Sequence, residues 1–301
     1  MSQQKNAIGS LTIDVEEYFQ VEAFSKNISM HDWKNHESRV IYQMDLLLEL
    51  FQERNIKATF FILGYIAKKH PGLIKKIAAQ GHEIASHGFN HQHITKITRA
   101  EFINDITASK TLLEDIISSD VIGYRAPCFS ITPENHWAFD EILAAGYQYS
   151  SSTYPIAHDF YGMPNAPRTP YYLSNGLLEI PVSTFESNGK NKPAGGGGFF
   201  RLLPYWLFKK RLELSYKQTG FVNFYTHPWE YDPEQPKIKT SLKSNFRHRI
   251  NQKTALKKLS KLCDDFEFDT LKSIHLNKSY PQLGNWQSIA SGQRANVYDN
   301  K

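Results

Sequence analysis

The chain has 301 residues, 41% hydrophobic and 22% charged, a composition that excludes a disordered polypeptide and allows one large domain or two ordinary ones. Its two cysteines, Cys128 and Cys263, exclude a disulfide framework and a four-cysteine zinc site, so any metal must sit on histidine and carboxylate. Much of the net charge of +5 falls between Lys237 and Lys261, where nine Lys or Arg occur without a single Asp or Glu. Such a strip suits a phosphate-bearing lipid or an anionic glycan, or is simply a solvated helical face. No stacking-aromatic or nucleic-acid module accompanies it, which leaves nucleic acid the least favoured partner.

From the N-terminus, the polar stretch 1–6 shows neither a secretory signal nor a membrane span, and the expected location is cytoplasmic, at the inner membrane surface if the basic strip meets lipid. Residues 8–15 predict a first buried strand. Between Ser38 and Asn55, Val40, Ile41, Met44, Leu47, Leu48 and Phe51 recur at helical spacing, and residues 57–63 return to strand character. Pro71 and Gly81 bracket a second helix, followed by a short strand over 82–86. Thr98 and Glu101 form a capping-box pattern at the head of another helix. Further strands are expected at 121–125, 178–182, 221–226 and 266–271, with a helix opened by Thr132-Pro133 and closed by Gly146. Alternation of this kind predicts an α/β fold with a parallel sheet covered by helices.

The polar clusters fall where predicted strands give way to loops. Asp14 and Glu16 end the first strand, His87 follows the third, Arg125 the fourth and His227 a late one. In parallel α/β folds these ends converge on one face, where active sites are built. Period-2 alternation puts Asp14 and Glu16 on one side, so that one can bind a metal while the other accepts a proton. His87 and His91, four apart, would share a side on a helical turn and are candidate ligands. His227 suits either a third ligand or a general acid. Trp229 could form an apolar wall or stack on a sugar ring. Cys128 as a nucleophile finds no assignable activating partner. Gly195–Gly198 lack the Lys-Ser/Thr ending of a nucleotide loop, so a turn, a lid or a phosphate contact are the remaining readings.

Thr12-Ile13-Asp14, Ser86-His87-Gly88-Phe89-Asn90-His91, Arg125-Ala126-Pro127 and His227-Pro228-Trp229 stand in the order and approximate spacing of one family. On these motifs the chain resembles the polysaccharide deacetylases (NodB homology, carbohydrate esterase family four). Residues 14–21, 123–127, 194–201 and 246–248 are similar, more narrowly, to the exosortase/PEP-CTERM locus deacetylases. The likeness covers about 8–272, with a basic portion at 237–272 and a polar tail at 273–301.

The resemblance implies a deformed (β/α) barrel with a C-terminal helical extension and a divalent metal, usually zinc. It also implies removal of acetyl from N-acetylated sugars of a polysaccharide or its lipid-linked precursor, in exopolysaccharide biosynthesis. By position it makes His87 and His91 ligands, Asp14 the general base, His227 the general acid and Arg125 the residue that orients the base. Pro127, Cys128 and Trp229 would touch substrate, with a backbone N–H near Cys128 facing the oxyanion. Val15 stands where many members carry a second Asp, which passes the third-ligand role to Glu16, with Asp14 and Glu17 as alternatives. No Asp occurs around Tyr149–Ser152 to support the arginine, and Asp140 or Asp159 would have to substitute. Hydrolysis of a non-sugar amide and glycan binding without turnover are the alternatives to deacetylation.

Overall fold

The first strand, β1 (Ile8–Val15), is buried on both sides, as a central strand of a parallel sheet must be. This is a computed structural model, and it describes residues 8–158, 161–284, 286, 289, 291–294 and 297–298. Leu11, Ile13 and Val15 face the main core, while Ser10, Thr12 and Asp14 turn a polar edge to the other side. Around β1 the chain lays β2 (Thr59–Ile62), β3 (Glu83–Ser86), β4 (Gly123–Tyr124) and β5 (Tyr149–Ser150), each parallel to its neighbour. Then come β6 (Tyr171–Tyr172) and β7 (Leu178–Glu179), a hairpin of β8 (Thr184–Ser187) with β9 (Lys190–Pro193), and β10 (Asn223–Thr226), which returns to pair with β1. β11 (Glu267–Asp269) pairs with the start of β1.

The sheet runs β10-β1-β2-β3-β4-β5-β7. Beyond β7, the Ser183 N–H donates to Asn223 O at 3.1 Å and Tyr225 N–H to Gly195 O at 3.1 Å, which brings the far side back to β10. The result is a curled, deformed (β/α) barrel, closed by single hydrogen bonds rather than by a full ladder.

Helices cover the outside: α1 (Val40–Glu53), α2 (Gly64–Lys69), α3 (Pro71–Ala79), α4 (Arg99–Ile117) and α5 (Ala138–Ala144) in the first half. The second half adds α6 (Gly197–Leu202), α7 (Tyr205–Thr219), α8 (Leu242–Arg249), α9 (Gln252–Asp265) and α10 (Leu271–His275). Helix α1 buries Met44, Leu47, Leu48 and Phe51 in the main core, the Phe51 ring 6.3 Å from that of Phe60 on β2, at roughly 1.5–3 kcal/mol for each fully buried side chain. Helix α4 begins as the capping pattern predicts. Thr98 N–H donates to Glu101 Oε2 at 2.7 Å and Glu101 N–H to Thr98 Oγ1 at 3.3 Å, an arrangement contributing about 1 kcal/mol.

Within the basic portion at 237–272, α9 packs on the turn after β10, and β11 pairs with β1. The segment after 272 adds to the sheet. Two short strands, β12 (Gln282–Leu283) and β13 (Val297–Tyr298), extend the sheet through β6, and Leu283 and Ile289 are buried.

Candidate metal centre

Glu16, His87 and His91 are all buried, and one ligand atom from each lies within 4.8 Å of the others. Two imidazoles and one carboxylate form a donor set that suits a divalent ion and leaves coordination positions for water and substrate. The atoms also fit such an ion in detail. His87 Nδ1 sits 2.8 Å from Arg125 O; a carbonyl only accepts, so the proton is on Nδ1 and the Nε2 lone pair is left for the cluster. Burial pushes His87 down to about 4, keeping it neutral. Glu16 Oε2 lies 2.8 Å from His91 Nε2 but makes no hydrogen bond of proper geometry, so this buried oxygen is turned toward the cluster. Burial opposes the charge on Glu16, but the neighbouring His91 and His227 outweigh it and hold the carboxyl well below its usual range.

The two histidines do not share a helical turn, as their spacing suggested. They flank a loop in which Gly88 and His91 both take positive φ, +73° and +53°. The Asp105 carboxylate on α4 pins that loop, accepting from Phe89 N–H at 2.7 Å and Asn90 N–H at 3.2 Å. A Cβ at position 88 would stand 2.6 Å from Asp105 Oδ2, so this turn needs glycine both for its backbone and for the approach of the carboxylate.

Asp14 lies beside the trio. Its Oδ1 is 2.7 Å from Arg125 Nη1, and Oδ2 is 4.0 Å from His227 Nε2. Arg125 is wholly buried, so its guanidinium must be satisfied by protein. It donates to Asp14, to Thr12 Oγ1 at 2.8 Å, and to Ser151 O and Oγ at 2.9 Å each. Phe61 covers one face, 4.1 Å from the guanidinium carbon to the ring centre. Ser151 therefore occupies the supporting place for which an Asp was sought. Asp140 instead accepts from Asn175 at an exposed position, and Asp159 lies outside the described residues. Glu17 also leaves the ligand list. It points away from the cluster, accepting from the Ser38 hydroxyl and from Arg39 N–H at 3.0 Å, and burial raises its carboxyl.

His227 faces the trio from β10. Its Nε2 is 3.5 Å from Glu16 Oε1, and its Nδ1 is 2.7 Å from Glu230 Oε1. Glu230 in turn meets Arg201 Nε at 2.7 Å. Burial pulls His227 down, but Glu16 and Glu230 together outweigh it and lift the imidazole to about 9. Glu230 itself drops to about 2, because Arg201 and His227 overcome its burial.

Sequence reasoning missed Glu230, Arg201, Ser151 and Asp105. The available signals were the i+3 spacing of Glu230 from His227 and the Gly195–Gly198 run before Arg201. That run is a packing device: a Cβ at Gly197 would stand 2.1 Å from Glu230 Oε1, and one at Gly195 2.3 Å from Asn223 O.

Cys128 lines the cavity at φ 55°, and Pro127 beside it is buried. Burial raises the Cys128 thiol well above its ordinary value, which opposes the thiolate a nucleophile needs. Trp229 lines the same cavity but is only 5% exposed. Its Nε1–H donates to Glu16 Oε1 at 3.1 Å, and its ring stacks with His227 and His248, so it holds the Glu16 carboxylate and the His227 imidazole in place.

The basic strip divides. Lys258 donates to Phe200 O and Leu203 O, and Arg249 to Pro233 O at 3.0 Å and Gln235 O at 3.2 Å. Lys243 and Arg247 instead border the cavity, which measures about 420 Å³ and contains the metal trio, Asp14 and His227 in its walls.

Comparison with known proteins gives two family matches. Residues 43–149 match the family described as polysaccharide deacetylase, and residues 151–276 one described as a domain of unknown function, DUF3473. A peptidoglycan-N-acetylglucosamine deacetylase of Bacillus cereus is 37% identical over 67 residues, 22% of this chain and 24% of that protein. A second from the same organism is 30% identical over 102 residues, covering 34% and 46%. A peptidoglycan deacetylase of Helicobacter pylori is 28% identical over 135 residues, covering 43% and 40%. The matched stretches thus span less than half the length of each of these relatives. Among solved structures, a Mycobacterium smegmatis protein described as a polysaccharide deacetylase superimposes with a TM-score of 0.61 at 18% identity, covering 100% of this chain and 96% of that one. At that identity the likeness speaks to the fold.

Proposed function

This chain carries a polysaccharide deacetylase domain match over residues 43–149, and from that premise we propose that it is a metal-dependent hydrolase removing acetyl from N-acetylated sugars. The observation that supports this most is the gathering of Glu16, His87 and His91 in one cavity with two buried pairs, Asp14 with Arg125 and His227 with Glu230. A divalent ion held by the trio, zinc being the first candidate, would supply Lewis acidity toward the acetamide carbonyl and the attacking water. Asp14 takes the proton from that water, and Arg125 keeps its carboxylate oriented. His227 donates a proton to the departing amine, because an amide nitrogen does not leave as an anion. Cys128, in the cavity wall, faces the acetyl group, and Pro127 is buried behind it.

We extend the reading to a lipid-linked sugar or its polymer in exopolysaccharide biosynthesis, at the cytoplasmic membrane surface, as in the exosortase-locus deacetylases. Support comes from α8, where Leu242 and Phe246 are 89% and 61% exposed beside Lys243 and Arg247. Apolar side chains among cations suit the headgroup region of an anionic bilayer. No helix among the described residues is long and apolar enough to cross a membrane.

Acetate release from N-acetylglucosamine oligomers by the zinc-loaded chain is the direct test, run beside a synthetic N-acetylated sugar with and without a lipid diphosphate. Release from the oligomers and faster release from the lipid-linked sugar are expected. Equal rates on the two synthetic sugars would remove the lipid-linked reading, and no release from any glycan would remove the deacetylase reading.

The acid role carries a pH signature. His227 is raised, so it is protonated at neutral pH and loses its proton as pH rises through about 9; a bound cation takes up part of the charge of Glu16, so the limb lies at or below that value. Glu230→Gln removes one of the charges that hold the proton. The basic limb of kcat should move to lower pH, with kcat at pH 9 falling about tenfold against the wild type. A pH–rate profile with an unmoved limb would assign the proton donation to another group.

A further inference from the structure

His248, in the last turn of α8, is 6% exposed, and neither of its ring nitrogens has a hydrogen-bond partner. The same residue lines the cavity that holds Asp14, Glu16 and His227. Its position is tightly fixed. The ring stacks on Trp229 at 4.3 Å and 17°, and meets Phe24 at 4.8 Å. Its backbone carbonyl accepts from Arg201 Nη1 at 2.9 Å and from Gln252 Nε2 at 3.1 Å.

A buried polar group without a partner costs about 1–3 kcal/mol. Packing alone does not call for that cost, since a phenylalanine ring would fill the same space between Trp229 and Phe24. The idle nitrogens therefore point to a partner that arrives with the ligand.

The chemistry of that partner follows from the ring's charge state. Burial, aided by Arg201 and Arg249, pushes His248 down to about 3, so the imidazole is neutral and offers one donor and one acceptor. A carboxylate or phosphate would meet a lone pair as well as a donor, and an ammonium would sit close to Arg201. A hydroxyl both donates and accepts, and matches either nitrogen. The same indole that stacks on His248 donates to Glu16 Oε1, so one aromatic ring separates the imidazole from the candidate metal ligand. A sugar whose acetamide reaches the metal trio extends its hydroxyls across that span.

We propose that His248 is a specificity-determining residue that hydrogen-bonds a ring or hydroxymethyl hydroxyl of the N-acetylated sugar. This rests on the deacetylase reading for the identity of the ligand. The imidazole takes no part in the proton transfers, so its loss acts on binding rather than on turnover.

The test measures calorimetric binding of an N-acetylglucosamine trimer and its 3-, 4- and 6-deoxy analogues to the zinc-loaded chain. Turnover is suppressed by Asp14→Asn, with and without His248→Phe. Acetate release is followed in parallel on chains with native Asp14. His248→Phe should weaken trimer binding about tenfold and raise KM to match, with kcat within about twofold. The penalty should vanish for one deoxy analogue, and His248→Asn, which keeps a donor and an acceptor, should restore part of the affinity. A 15N-histidine-labelled chain with native His248 needs no substitution there: a ring nitrogen of His248 should shift with the trimer and stay still with that analogue.

An equal penalty across the whole series, no penalty, or a ring signal indifferent to the trimer would overturn the assignment. A KM for acetate release that His248→Phe leaves unchanged would sink this inference alone. Hydroxyl-specific, His248-dependent binding without acetate release would sink the deacetylase reading alone, and a chain that neither binds nor cleaves the trimer would overturn both.

Discussion

Asp14→Asn is expected to lower kcat for acetate release by about 10³-fold while the chain keeps its full complement of metal. The amide occupies the same volume and can still accept from Arg125 Nη1, which now stands 2.7 Å from Asp14 Oδ1, but it cannot take a proton from water. General-base assistance of this kind contributes roughly 10²–10⁴ in rate. The substitution also leaves the guanidinium of Arg125, wholly buried, without its counter-charge. Breaking a buried pair by removing one partner costs roughly 3–5 kcal/mol, so the melting temperature should fall by several degrees as well. Metal content, kcat and a thermal melt on one preparation separate the effects. Loss of metal along with rate would make Asp14 a ligand, and wild-type kcat would leave it no catalytic role.

Glu16→Gln is the second large effect, and it should act in the opposite order, through the metal. Glutamine keeps the shape but gives up the charge that balances a divalent ion between two neutral imidazoles. Even an outer partner of a metal site is worth 10–100-fold in affinity, so the loss of a ligand should weaken metal binding by at least about 100-fold and abolish acetate release at trace zinc. His227 and His91 lose a raising charge at the same time. Any activity rescued by excess zinc should therefore show its basic limb at lower pH than the wild type. Retention of one tightly held ion per chain in Glu16→Gln would transfer the ligand role away from this residue.

The period-2 pattern of a strand explains why part of the site could be read from the sequence. Alternation put Asp14 and Glu16 on one side but left Glu17 among the possible ligands, and the structure turns Glu17 away to Ser38 and Arg39. The spacing of His87 and His91 drew attention to a pair that the structure does bring together, but around a loop rather than on a helical turn. A glycine at positive φ and the Asp105 carboxylate, sixteen residues beyond Phe89, shape that loop. The supports of His227 and Asp14 were hidden for a common reason: they act across long separations. Ser151 reaches Arg125 over 26 positions and Arg201 reaches Glu230 over 29, and periodicity carries no information at that range.

The fold divides in the same way. β1, β2 and β10 and the helices α1 and α4 carry enough repeats or caps to be recognised. β4 to β7 are two residues each, held in place by neighbours rather than by their own pattern. The paired strands after 272 were hidden by a polar composition, because among the described residues there Leu283 and Ile289 are the only buried hydrophobic ones.

The most direct measurement titrates zinc into chelator-treated chain and follows bound metal and acetate release from N-acetylglucosamine oligomers in the same samples. Activity is predicted to be absent at the start, to rise in proportion to occupancy and to saturate at one ion per chain, with no rise in a His87→Ala, His91→Ala chain. Full acetate release from the metal-free protein would contradict the account.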